Sequence, residues 1–485
     1  MGTLIFLLLL LPILGAVLAG LLTRFNQPIA LTSVTLALLL LILILAQLPA
    51  DLTFRTVPIE LDWLSDYLSG GLFGLQIDPL GLIMLLVVVV LGFLNIVYGT
   101  KYLSAGNKEH PSDEGRGRHS FWMLLFIASM IGVALSPNLL QLYIFWEMTT
   151  LCSWALISHY RNEESVRAGF KALLMTFSGG LFFAIALVVL FVHTGSFEFS
   201  ALNALPAGLR AWIFLFFLIA AWAKSAQIPF FTWLPDAMAA PTTVSMYLHA
   251  AAMVKAGVFL IARIVLASSD LAFASGLVLS IAAVVTMLVV LFLFFYQDDL
   301  KRLLAYSTIA HLAYILFGLG LGVMGSESGF YGGVMHIMNH GVGKGLLFLC
   351  VGAISYTTGT RSIKQLSGLA RTSPLLTAAF FVGMFSILGI PPFSGFWSKF
   401  YLMIGTIDLG GTAGTLLLIP FLLEIVVAFA WFLHIGQKVF FGPPSEAAAS
   451  ASPAPFAISF ALIVMMILTL VAPFVALALI RGMVL

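Results

Sequence analysis

Apolar runs of about 17 to 28 residues recur along the chain, separated by short polar loops, and each is long enough to cross a bilayer as a helix. The pattern predicts about fourteen spans, at 3–22, 29–48, 79–99, 120–136, 138–158, 168–193, 211–240, 242–267, 272–296, 301–322, 328–355, 375–408, 413–440 and 456–480. The seventh and twelfth are over-long and contain proline, Pro229 in one and Pro391-Pro392 in the other. Proline removes a backbone donor and clashes with the preceding turn, so both are expected to be discontinuous helices. The fold class is therefore an all-α polytopic membrane protein.

Composition narrows the class further. Hydrophobic residues make up 61% of the 485 positions and charged residues 9%, against about 25% charged in soluble domains. Mean hydropathy is +1.11. The basic residues are scattered through loops, which gives no nucleic-acid surface. Cys152 and Cys350 lie in separate apolar runs and form no metal or iron–sulfur ligand set. The apolar N-terminal run lacks a basic leader and reaches about Leu22, so it reads as a first span rather than a signal peptide. Loops 50–78 and 100–119 are long but do not read as soluble domains, and 443–455 reads as a flexible linker.

Lys and Arg in loops are strongly biased to one side, thirteen against four (Arg55, Arg210, Arg263 and Arg481). That bias puts both termini on the non-cytoplasmic side of a prokaryotic inner membrane. Internal similarity suggests a duplication. FKALLMTFSGG around Lys171 resembles GKGLLFLCVGA around Lys344, FWEMTTLCSWAL (145–156) lies over AYSTIAHLAYIL (305–316), and Pro229 lies over Pro392. Spans 4–8 and 9–13 are thus expected to be inverted five-helix repeats. The implied divisions are 1–119, 120–267, 272–440 and 456–485. Inverted repeats with broken helices place a site near the bilayer midplane.

The candidate chemistry follows from intramembrane charge, which is costly and functional by default. Lys224 lies five residues before Pro229, and Lys255 follows on the next span. Glu147 sits mid-span with no basic neighbour in sequence, so a cationic partner must come from another helix. His336, His340 and Lys344 recur at i, i+4 and i+8 and form one titratable stripe. Ser307 and His311 form a shorter one. His249 needs a partner from elsewhere, and Lys399 follows the second proline break. Glu424 and Lys171 are secondary candidates. His159, His193 and Arg263 read as interfacial, and Trp63, Trp233 and Trp397 as packing or belt residues. Lysine, unlike arginine, readily exchanges its proton when desolvated. The set points to movement of H+, or another small cation, through the membrane. A static scaffold is the competing reading, which the five intramembrane lysines oppose.

FWEM (145–148), 223–257, DLKRLLAYSTIAH (299–311), HIMNHGVGKGLLFL (336–349) and GIPPFSGFWSKF (389–400) resemble the antiporter-like subunits of the complex I superfamily. Residues 104–118 and 152–160 bring the chain nearest the hydrogenase-4 (formate hydrogenlyase) D component. The resemblance implies that Glu147 pairs with Lys224, that Lys255 is the central relay lysine, and that Lys399 stands at the outlet. It also implies paralogous membrane subunits, a peripheral redox module as partner, and no cofactor in this chain. Nickel–iron, iron–sulfur, flavin or quinone chemistry would belong to partner subunits. The leading expectation is a proton-translocating subunit of a redox-driven complex, such as an energy-converting hydrogenase or a NADH:quinone oxidoreductase-like assembly. A subunit of a multisubunit Na+/H+ antiporter and a proton-conducting partner of inorganic-carbon uptake are the alternatives. Sodium prefers oxygen ligands, and the candidate set is chiefly Lys and His, which favours H+.

Overall fold

The computed structural model describes residues 1–56, 72–268 and 271–483. Trp63 lies outside them. The architecture is almost entirely helical. Spans one to six are continuous helices: α1 (Gly2–Leu21), α2 (Asn26–Gln47), α3 (Pro79–Tyr102), α4 (Arg116–Leu135), α5 (Leu139–Ile157) and α6 (Glu163–Thr194). Among the described residues the one sheet is a two-residue antiparallel pair, β1 (Phe54–Arg55) with β2 (Gln76–Ile77).

Span seven divides into α7 (Ala207–Lys224) and α8 (Trp233–Asp236) around Pro229, as expected. Span eight also divides, into α9 (Thr242–Ala250) and α10 (Met253–Ala267), where the sequence predicts one helix. The second half continues with α11 (Phe273–Phe294), α12 (Leu300–Val323), α13 (Glu327–Thr358) and the short α14 (Leu369–Thr372). Span twelve is α15 (Pro374–Leu388) and α16 (Ser394–Leu409), broken at Pro391-Pro392. Then come α17 (Gly411–Phe440), the short α18 (Glu446–Ala449) and α19 (Phe456–Ile480). Twelve of the described spans are long and apolar enough to cross a membrane. The fifth and the broken twelfth complete the fourteen. α6 and α13, the helices carrying the two matched lysine segments, are both 32 residues long.

Burial sorts these helices into two sets. α13 is enclosed along nearly its whole length, and α12, α9 and α10 are nearly so. α2, α6, α11, α17 and α19 each expose a row of large apolar side chains, the expected lipid or subunit face. Glycine sets how closely the inner helices approach, as is usual where helices pack without a hydrophobic drive. A Cβ on Gly332 of α13 would lie 2.7 Å from the Leu402 amide nitrogen of α16, and one on Gly333 would lie 2.9 Å from the Ile315 carbonyl of α12. Backbone contact at these points brings side chains from α12, α13 and α16 within hydrogen-bond reach.

Around the break in span seven, backbone carbonyls accept hydrogen bonds from side chains within the protein, as membrane depth favours. Trp233 Nε1 donates to Ala223 O at 3.0 Å, Ser225 Oγ to Val254 O at 2.8 Å, and Gln227 Nε2 to Ser225 O at 2.9 Å. Trp233, expected as a packing or belt residue, is fully buried and also caps the end of α7. Arg263, expected at the interface, is instead 6% exposed and ion-paired with Asp78, the N-cap of α3.

Candidate functional site

The inner helices carry a row of buried titratable side chains. Lys255, two residues into α10, donates through Nζ to the Ile337 carbonyl and to His340 Nδ1, the latter at 3.3 Å. The His340 ring stacks on His311 of α12 with centroids 5.2 Å apart. His311 Nδ1 and His336 Nε2 share a hydrogen bond of 2.9 Å, and His336 Nδ1 bonds Ser398 Oγ at 2.8 Å. Ser398 adjoins Lys399 on α16. Lys399 Nζ donates to Leu388 O at 3.3 Å and lies 4.8 Å from the Tyr314 ring centroid. Lys255, His340, His311, His336 and Ser398 thus form a connected line through four helices, α10, α13, α12 and α16. All five are buried.

Lys344 extends the α13 stripe by one turn and donates to Leu304 O at 3.3 Å. Ser307, one turn before His311, is 2% exposed and lies within the same packed region of α12. His249 is fully buried with its ring against Phe348, centroids 4.6 Å apart, and neither ring nitrogen has a hydrogen-bond partner among the described residues. The predicted partner from another helix is therefore aromatic rather than hydrogen-bonding. Glu424 is 2% exposed, with Oε2 unpartnered.

The Glu147–Lys224 pair takes a different form from the one expected. Lys224, the last residue of α7, donates to Trp146 O at 2.9 Å and to Thr150 Oγ1 at 2.5 Å, and its Nζ stands 5.0 Å from the Trp146 ring centroid. No Glu147–Lys224 ion pair forms within 4.0 Å. The lysine instead grips the α5 backbone beside the glutamate, with Thr150 on the same helix face as Glu147. Glu147 Oε1 is buried without a hydrogen-bond partner and faces Gly180 of α6, where even a Cβ would collide with it.

Lys171 does not join the row. Its side chain is 37% exposed and pairs with Asp236 at 2.7 Å, in a cavity of about 550 Å³ between α6, α8 and the start of α12. Asp299, Arg302 and Arg361 also line this cavity. Beneath it lies Lys301, counted from sequence as a loop residue but 1% exposed. Its Nζ donates to Met238 O at 3.1 Å and Ala240 O at 2.7 Å, tying the N-terminus of α12 to the broken span seven. With Lys301 and the buried Arg263 both set aside, the loop bias becomes twelve to three and keeps its direction. Ser398, Thr150 and Lys301 are the site residues that sequence reasoning passed over. The Ser-Lys pair in FWSKF was the one available signal, because it puts a hydroxyl next to a candidate lysine.

Comparison with known proteins places this arrangement. Residues 136–424 match the family described as NADH:quinone oxidoreductase/Mrp antiporter, TM. The Na(+)/H(+) antiporter subunit A1 of Staphylococcus aureus is 34% identical over 466 residues, covering 89% of this chain and 56% of that protein. The chain thus spans about half the length of the curated relatives it matches. Among solved structures, the Mrp complex from Dietzia sp. DQ12-45-1b superposes with a TM-score of 0.86 at 29% identity, covering 99% of this chain and 52% of the matched one. The membrane-bound sulfane sulfur reductase (MBS), an archaeal respiratory membrane complex, shares the fold with a TM-score of 0.85 at 22% identity, over 99% of this chain and 96% of that one. A family match across more than half the chain, containing Glu147, Lys224, Lys255 and the α12–α13 histidines, makes this protein a member of the NADH:quinone oxidoreductase/Mrp antiporter family.

Proposed function

We propose that the chain is an antiporter-like, proton-translocating subunit of a multisubunit membrane assembly of the Mrp Na+/H+ antiporter type. The observation that carries this reading is the buried line Lys255–His340–His311–His336–Ser398, in which each member touches the next by a hydrogen bond or a ring stack. Imidazole can accept a proton at one nitrogen while giving one up at the other, so such a line can pass protons without moving its backbone. The sequence pointed first to the hydrogenase-4 D component. The antiporter relatives support the alternative, an antiporter subunit, better than a redox-driven complex.

In this reading protons enter from the 550 Å³ cavity, on the side where loop Lys and Arg concentrate. They pass the Glu147–Thr150–Lys224 contact, reach Lys255, and leave through Lys399. The unpartnered nitrogens of His249 and the side chain of Asn339 supply polar points along that passage. The row offers nitrogen rather than an oxygen cage, so this chain carries the H+ limb and Na+ belongs to partner membrane subunits.

Everted membrane vesicles containing the assembled protein, with a pH-sensitive dye, provide the test. Glu147→Ala and Lys224→Ala are expected to abolish proton flux while the chain still inserts and assembles. Wild-type flux in either variant would overturn the assignment.

A further inference from the structure

A second polar cavity, of about 350 Å³, lies apart from the buried row. The loop between α3 and α4 and the turn after α5 form it. His110, Arg118, His159, Tyr160 and Arg161 line it, and Glu114 is its one carboxylate among the described residues. This is the segment 104–118 that the translocation reading leaves unused.

Three features of the cavity favour an anion. The first is unbalanced positive charge. Arg118 Nη2 donates to the His159 carbonyl at 2.6 Å, Arg161 is exposed and makes no side-chain hydrogen bond among the described residues, and neither guanidinium has a carboxylate partner. The second is His159, which is 7% exposed, lines the cavity and has no hydrogen-bond partner at either ring nitrogen among the described residues. It meets Tyr160 and His119 only through ring edges, with centroids 5.5 and 5.6 Å apart. Burial, and then the guanidiniums of Arg118 and Arg161, hold its imidazole down to about 4, so it stands neutral with one N–H to give. The third is the start of α4. Its N-cap Gly115 has φ 72° and no side chain to satisfy the first-turn N–H groups, and it lines the same cavity. A Cβ there would lie 3.2 Å from the His159 ring and 3.3 Å from Arg118 Nη2, so glycine keeps the helix end open. An open N-terminus of a 20-residue helix presents donors and positive potential to an anion.

We propose that this cavity binds a phosphate-bearing anion, with Arg118 and Arg161 as charge partners, the α4 N-terminus as backbone cradle and His159 as neutral donor. The site opens at the edge of the bilayer on the Lys/Arg-rich side, so a phospholipid headgroup and free phosphate present the same chemistry to it.

Calorimetric titration of the purified full chain in detergent tests this. The probes are inorganic phosphate and short-chain phosphatidylglycerol, with short-chain phosphatidylcholine as the neutral comparison. One of the two anionic probes should bind. Arg161→Gln, at an exposed position that leaves the fold intact, should weaken binding about fivefold. Arg24→Gln, on the same side but outside the cavity, should leave binding unchanged. Phosphatidylglycerol binding well above phosphate assigns a lipid headgroup, and comparable binding assigns the free anion; both uphold the site. Binding no better than phosphatidylcholine, or binding equally sensitive to Arg24→Gln and Arg161→Gln, overturns it.

Discussion

Ser398 offers the sharpest test of the relay. His336 is fully buried and uses both ring nitrogens, Nε2 with His311 and Nδ1 with Ser398. A hydroxyl can donate or accept, so it serves both the neutral ring and the imidazolium, whose two nitrogens must both donate. Ser398→Ala removes that partner. Hydrogen bonds to charged groups contribute about 1.5–3 kcal/mol and neutral ones about 0.5–1.5, so the charged ring loses about 1–2 kcal/mol more than the neutral one. If protons pass through charged His336, that difference slows the step about 5- to 30-fold. Proton flux in everted vesicles, normalised to inserted protein, measures it. Ser394→Ala is the matched control. Ser394 is equally buried, but its hydroxyl bonds Ser386 and the Asn339 carbonyl rather than a histidine. Equal flux in the two variants would refute the argument, because the loss would then be one of packing.

Other outcomes follow from neighbouring contacts. Gly180→Val should displace the Glu147 carboxylate and suppress flux with little change in insertion, since a Cβ at Gly180 already overlaps Oε1; retained flux would argue against a role for that carboxylate's position. Lys301→Met strands the Met238 and Ala240 carbonyls, at about 1–3 kcal/mol for each buried group left unpaired. A lowered unfolding temperature of the purified protein should report it. Arg263→Ala leaves Asp78 buried and unpaired, a loss of about 3–5 kcal/mol in comparable pairs. Burial alone would raise the Asp78 carboxyl, but Arg263 and the Gly81 N–H hold it below its ordinary value. A depressed carboxylate stabilises the fold above its unfolded pKa of about 3.9 and loses that contribution as pH falls through the folded value. Acid-induced unfolding of the wild type should therefore show a component below about pH 4 that Arg263→Ala lacks.

The spans were legible because long apolar runs have few other uses, and the two proline breaks because proline there fell inside runs too long for one span, whereas Pro12, Pro420 and Pro473 lie in runs of ordinary length and stay within continuous helices. The break between α9 and α10 was not legible. Residues 250–252 are alanines, the best helix formers, so only tertiary packing interrupts them. The α13 stripe was readable from its spacing, and the structure buries all three of its members. Which residues complete the line was not readable, because helical periodicity gives a face but not the helix that faces it. Ser398 and His311 meet His336 only through the glycine-mediated approach of α12, α13 and α16. Lys171 misled for the same reason: its segment matches that of Lys344, yet its neighbour is Asp236 at a cavity rim. The direct Glu147–Lys224 pairing was replaced by a grip on the α5 backbone, a contact that side-chain charge does not forecast.

The three breaks differ in one respect. At Ile228-Pro229 and Pro391-Pro392 an imino acid lacks the N–H that a continuous helix would use, which disfavours helix there. Ala251 and Ala252 carry no such restriction. Their non-helical backbone is imposed by their surroundings, against their own preference. Span eight is therefore held interrupted by packing and not by its own chemistry. Fusing it would turn α10, and Lys255 with it, relative to α9. Two of the breaks are favoured by the covalent structure, and the third depends on its neighbours alone.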